Sequence, residues 1–142
     1  MGTIYKYTFL LLILTSCSNS FSSSSRIKYD YPLIEEYKIP YTEVFNIDKE
    51  EYYIYYYQTM CYHCMKIKST MIEYCLNNKG TMYFIEVLKD EGFRSIDKED
   101  TIGATDPLDA FAFMTPQLSI VRNKMVVETY LGEEEIIKII NT

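Results

Sequence analysis

The chain has 142 residues, of which 48% are hydrophobic and 24% charged, and a net charge of −6. That is enough for one domain with one core, and too apolar for a disordered chain. The acidic balance, without a basic patch carrying interleaved aromatics, argues against nucleic acid as a partner and reads as a solvated surface.

Phe9 to Leu14 is an apolar run behind a weakly positive start at Lys6. It falls far short of the ~18 residues that a spanning helix needs, so residues 1–16 read as a secretory signal. Leu14-Thr15-Ser16-Cys17 then resembles the bacterial lipoprotein signal motif, in which Leu and two small residues precede a Cys. The resemblance implies a diacylglyceryl group on Cys17, which becomes the first residue of the mature chain. Two or more acyl chains give stable membrane attachment. Residues 17–30 begin with a serine-rich run that has nothing to bury, and are expected to form a flexible tether. The expected location is extracytoplasmic, lipid-anchored to a bacterial membrane, with the outer membrane as an option in a two-membrane cell. Residues 31–142 form the expected folded domain.

Within the domain, residues 26–31 suggest a short edge strand ended by Pro32, and residues 41–45 one helical turn with Val44 and Phe45 inward. Residues 51–57, Glu-Tyr-Tyr-Ile-Tyr-Tyr-Tyr, read as a buried strand because aromatic and β-branched side chains suit a pleated sheet. Residues 60–78 read as a helix, stopped near Gly80. A second buried strand covers 81–88. The polar stretch 89–105 reads as a surface excursion. Asp106-Pro107 is an N-cap followed by proline at the first helical position, opening a short helix at 108–113. Strands at 117–122 and 125–130 form a hairpin around Asn123-Lys124. Glu133-Glu134-Glu135 opens a last helix with its acids at the favourable end. Strand–helix–strand implies a parallel pair with a right-handed crossover. The hairpin adds antiparallel strands, so the expected class is α/β with a mixed sheet flanked by helices.

Cys61-Tyr62-His63-Cys64 sits between the first strand and the first helix. A helix N-terminus directs unpaired N–H groups and a partial positive charge at the first sulfur, which favours the thiolate. Cys75 lies eleven residues past Cys64, about 16 Å along a helix, so it cannot approach within the ~7 Å that a disulfide requires. With Cys64, Ile67 and Met71 it forms one apolar stripe and reads as core. A Cys61–Cys64 bridge closes almost no loop and stabilises little, so its use is reactivity. Zinc is disfavoured, because the chain has one histidine and no second Cys-x-x-Cys.

The element order, Cys-x-x-Cys at the first helix, and Thr115-Pro116 before the hairpin together resemble the thioredoxin superfamily over residues 41–142. The resemblance implies a thioredoxin-like fold with a cis Thr115–Pro116 bond beside the cysteines, and a Thr115 backbone offered to an extended substrate. Cys61 is then the expected nucleophile and Cys64 the resolving thiol. His63, as imidazolium, stabilises the Cys61 thiolate and leans the pair toward donating or isomerising disulfides, while surface-anchored relatives in the superfamily also include reductases, so the direction stays open. Tyr62, Thr115 and Pro116 are the expected substrate-side residues.

The expected activity is thiol-disulfide exchange with protein thiols and disulfides and a redox partner protein. It needs no cofactor beyond the Cys61–Cys64 disulfide, and the expected state is a monomer. Two departures from the family stand out. Met60 replaces a frequent tryptophan. Tyr55 occupies the place, six residues before the nucleophile, where many thioredoxins carry a buried carboxylate. Glu86 is a weak substitute and reads first as an ordinary strand residue. Two alternatives remain open: a thioredoxin-like binding lipoprotein with little turnover, and a Cu(I) carrier using Met60, Cys61, Cys64, Met65 and Met114 as soft ligands.

Overall fold

The structure is a computed structural model that describes residues 29–78, 81–87, 92 and 96–142. The signal, Cys17, most of the tether and the helix stop at Gly80 lie outside the described residues. The main elements are β1 (Glu51–Tyr57), α1 (Tyr62–Asn77), β2 (Met82–Glu86), β3 (Gln117–Arg122), β4 (Met125–Leu131) and α2 (Gly132–Ile140). Short 3-10 segments occur at Tyr31–Tyr37, Tyr41–Glu43, Glu99–Thr101 and Pro107–Asp109.

The strands form one sheet in the order β2-β1-β3-β4. β1 and β2 are parallel, as the α1 crossover requires, and the β1–β3 and β3–β4 pairs are antiparallel. Asn123 and Lys124 close the hairpin with φ of 51° and 62°, the left-handed pair that matches strand twist. This is the thioredoxin-like mixed α/β sheet that the element order implied.

Alternation along β1 divides the core between the two faces of the sheet. Tyr55 and Tyr57 face α1 and α2 and pack with Cys64, Ile67, Met71, Cys75, Phe84 and Ile136. Tyr52, Ile54 and Tyr56 face the other way, against Val44, Phe45, Ala110 and Phe111. Both long helices therefore cover one face, while 3-10 turns and loop residues cover the second. The stripe Cys64, Ile67, Met71, Cys75 is fully inward, and Cys75 is a core residue as its spacing implied.

Two expectations change and a third is qualified. Tyr31 does not end an edge strand but starts a 3-10 segment, capped by Asp30, whose Oδ1 accepts from the Tyr31 N–H at 2.9 Å. Pro32 suits that first turn, where its missing N–H has no partner to lose. The edge of the sheet instead carries a single parallel bridge between Lys38 and Phe84. The helix expected at 108–113 contracts to Pro107–Asp109, although Asp106 caps it as expected through the Leu108 N–H. The end of the polar excursion lies at the surface as expected, with Ile102, Gly103 and Thr105 exposed, but it is also tied to the sheet, and Thr101 and Ala104 are buried. The Gly103 N–H donates to the Val126 carbonyl at 2.7 Å, and the Val126 N–H to the Ala104 carbonyl at 3.0 Å. β4 is an edge strand whose free backbone groups recruit this segment, and Thr101 is buried against Thr129, with their hydroxyls 2.6 Å apart.

Candidate active site

Cys61 is the N-cap of α1, so the helix starts at Tyr62 rather than at Met60. Its Sγ accepts from the Cys64 N–H at 3.2 Å, taking one of the donors that every helix N-terminus leaves unpaired. Cys61 is half-buried, Cys64 fully buried one turn deeper, and both are thiols. Burial pushes the Cys61 thiol up, but the Cys64 thiol and the backbone N–H groups of Cys64 and His63 stabilise the thiolate more strongly. The net result lies below the ordinary value. Cys64 goes the other way, pushed up to about 12 by burial and by its hydrogen bond to Cys61.

The Thr115–Pro116 bond is cis. The Thr115 carbonyl lies 3.5 Å from the Cys61 Sγ, so the two motifs are adjacent although 54 residues apart. The Pro116 carbonyl accepts from the Gly132 N–H at 2.9 Å, which fixes the start of α2 against the same corner. An open cleft of about 460 Å³ runs along His63, Met114, Thr115, Pro116, Leu131 and the first turn of α2.

His63 is exposed, with its Nδ1 3.3 Å from Glu133 Oε2. Lys66 Nζ donates to the other Glu133 oxygen at 2.8 Å and lies 4.9 Å from the centre of the Tyr62 ring. Tyr62 meets His63 edge-on. The two residues between the cysteines are thus tied to α2 through one carboxylate. Glu133 is held below the usual carboxylate range, first by Lys66 and then by His63. Tyr62 is exposed but does not line the cleft.

Two contributors escaped the sequence reading. Glu133 looked like one of three acids favouring a helix start. Gln117 looked like the polar beginning of a strand. It is fully buried, and its Oε1 accepts from the Ala112 N–H at 2.7 Å while its Nε2 donates to the Ala110 carbonyl at 2.8 Å. It thereby pins the segment leading into Pro116. Their spacing in the chain, five to seven residues for Gln117 and seventy for Glu133 and His63, gives no local signal.

No protein-family model matches the chain, and no curated protein sequence matches it. Solved thioredoxin structures are similar in fold. Mitochondrial thioredoxin 3 from Saccharomyces cerevisiae, in its oxidised form, is 15% identical with a TM-score of 0.49, covering 73% of this chain and 92% of that one. Plasmodium falciparum thioredoxin is 19% identical with a TM-score of 0.47, covering 73% and 95%. Chlamydomonas reinhardtii thioredoxin f2 is 14% identical with a TM-score of 0.47, covering 73% and 92%. The assignment of the fold rests on the strand order and on the chain path around Cys61 and Pro116.

Proposed function

We propose that the chain is a thiol-disulfide oxidoreductase, attached through a lipidated Cys17 to the extracytoplasmic face of a bacterial membrane. The observation that carries the reading is Cys61 itself. It is a half-buried N-cap sulfur with its thiolate favoured, set 3.5 Å from the carbonyl of a cis-prolyl pair. A thiol whose pKa is lowered at an accessible helix N-terminus is what a nucleophile in disulfide exchange needs.

Cys61 attacks a substrate disulfide and forms a mixed disulfide, releasing one substrate thiolate. Cys64 then attacks the Cys61 sulfur, closes the Cys61–Cys64 disulfide and releases the second thiolate. Two electrons pass from the dithiol to the substrate, and the reverse sequence donates a disulfide. The Thr115 backbone, beside Cys61, is offered to an extended substrate chain, as in strand addition. His63, oriented by Glu133, favours the reduced thiolate form and so favours donation or isomerisation of disulfides.

Changing Cys64→Ser and recovering covalent adducts from native membranes tests the activity. The reading expects protein adducts that release on reduction and vanish in Cys61→Ser, and no such adduct would contradict it. The partners recovered identify the direction of exchange. Mass spectrometry of the mature N-terminus tests the anchor, with a thioether-linked diacylglycerol on Cys17 expected. A binding role with little turnover is favoured by Tyr55 at the carboxylate position. In that case Cys61 alkylates with the pH profile of an ordinary thiol, near pH 8.5.

A further inference from the structure

The resolving step needs a proton to leave a buried thiol, and Tyr55 cannot receive it as a base. Burial, followed by the charge on Cys64, raises its phenol far above the ordinary range. β1 and β2 show where a carboxylate lies instead. Tyr55 pairs with Phe84, and Tyr57 with Glu86. Met82 and Phe84 face α1, so alternation puts Glu86 on that same face, at the end of the sheet where α1 begins. Its Oε1 accepts from Thr59 Oγ1 at 3.1 Å, in the turn that leads to Cys61.

Cys64 shares its core cluster with three phenols, Tyr31, Tyr55 and Tyr57, the last of which pairs with Glu86 in the β1–β2 register. Tyr31 stacks on Tyr57 with ring centres 4.3 Å apart, and Tyr57 lies parallel to Tyr55 at 6.1 Å. All three belong to the core cluster that contains Cys64 and touches Cys61. Their hydroxyls are buried and have no hydrogen-bond partner among the described residues. Each such group costs about 1–3 kcal/mol if left dry, and native proteins meet it with ordered water. Tyr56 shares the property but points to the opposite face. The same phenols sense both ends of the cluster. After burial, Cys64 raises Tyr31 and Tyr55 most, and Glu86 raises Tyr57 most and also acts on Tyr31.

We propose that Glu86 accepts the Cys64 proton, relayed through hydrated hydroxyls of Tyr55, Tyr31 and Tyr57. The inference rests on the exchange reading above. With a mixed disulfide on Cys61, the Cys64 S–H bond breaks and its proton enters the relay. Each hydroxyl takes one proton and passes one on, so no phenolate forms, and the Glu86 carboxylate becomes a carboxylic acid. The Cys64 thiolate then forms the bond to Cys61 Sγ, and the substrate sulfur leaves as a thiolate.

The test uses an aryl disulfide, 5,5′-dithiobis(2-nitrobenzoate), whose thiolate absorbs in the visible. Attack by Cys61 releases one equivalent, and attack by Cys64 releases the second. In Glu86→Gln the second release is expected to slow about tenfold or more at pH 7 and to recover at alkaline pH, with the first release unchanged. Glu86→Asp retains most of the rate, and Tyr55→Phe, which keeps the ring, slows the second release if Glu86→Gln folds poorly. A purely electrostatic role has the opposite sign, because removing a nearby negative charge eases thiolate formation. Second-release profiles in Glu86→Gln and Tyr55→Phe that superpose on the unmodified protein overturn the relay and leave exchange intact. Absence of any second release in the unmodified protein overturns the exchange reading and the relay with it.

Discussion

Cys61 and Cys64 are the same residue type three positions apart, yet their environments send them in opposite directions. One receives the N–H donors of a helix start and the other sits in the apolar face beneath it. Alkylation should therefore resolve them. Cys61 is expected to react with a midpoint below that of a free thiol, while Cys64 in a Cys61→Ser background reacts only at higher pH than a free thiol, because burial still raises its pKa. A Cys64 that alkylates at neutral pH while Cys61 does not would reverse their roles. His63 supplies a second handle, because it stands beside Cys61 and pairs with Glu133 across the start of α2. His63→Ala is expected to slow Cys61 alkylation by about three- to tenfold at low salt and by less at high salt, where charge interactions are screened. Equal slowing at both salt concentrations would mean that His63 acts through packing rather than charge.

Among the elements, the site is a junction of three: the start of α1, the start of α2, and the segment that enters β3. Gln117 ties the third to the sheet with three hydrogen bonds, including one to Ser119 Oγ at 2.8 Å. Gln117→Leu leaves a buried N–H at Ala112 and a carbonyl at Ala110 without that partner. It should cost about 2–4 kcal/mol, read by denaturant unfolding. A loss under 0.5 kcal/mol would show that the segment finds other partners. This junction also marks the limit of what the sequence made legible. β1 and β3 were readable because strongly β-prone runs are bounded by turn residues, and α1 because its stripe has helical spacing. Cys61, Cys64, Thr115 and Pro116 were readable as motifs. Glu133 was not, because its partner His63 lies seventy residues away, and Gln117 was not, because a polar residue at the start of a strand has many ordinary explanations. The described part of the 89–105 stretch is mostly exposed, as its polarity suggested, but polarity gave no sign that its end supplies backbone partners to the β4 edge.

At the scale of the whole molecule, one sheet face carries both long helices and the Cys61–Cys64 pair. The core that holds the fold is thus the same core that sets the depth of Cys64. Met71, fully buried in that cluster, makes the link testable. Met71→Ala should lose about 2–5 kcal/mol through the cavity it leaves, and the loosened packing beneath α1 should bring the Cys64 thiol down toward its ordinary value. Unchanged Cys64 reactivity at reduced stability would separate the two. The central claim, that Cys61 attacks and Cys64 resolves, is tested most directly by following the aryl thiolate released per chain in three proteins. The account predicts two equivalents from the unmodified protein, one equivalent with a stable adduct from Cys64→Ser, and a rate near the uncatalysed background from Cys61→Ser. Rapid release from Cys61→Ser, or two equivalents from Cys64→Ser, would contradict it.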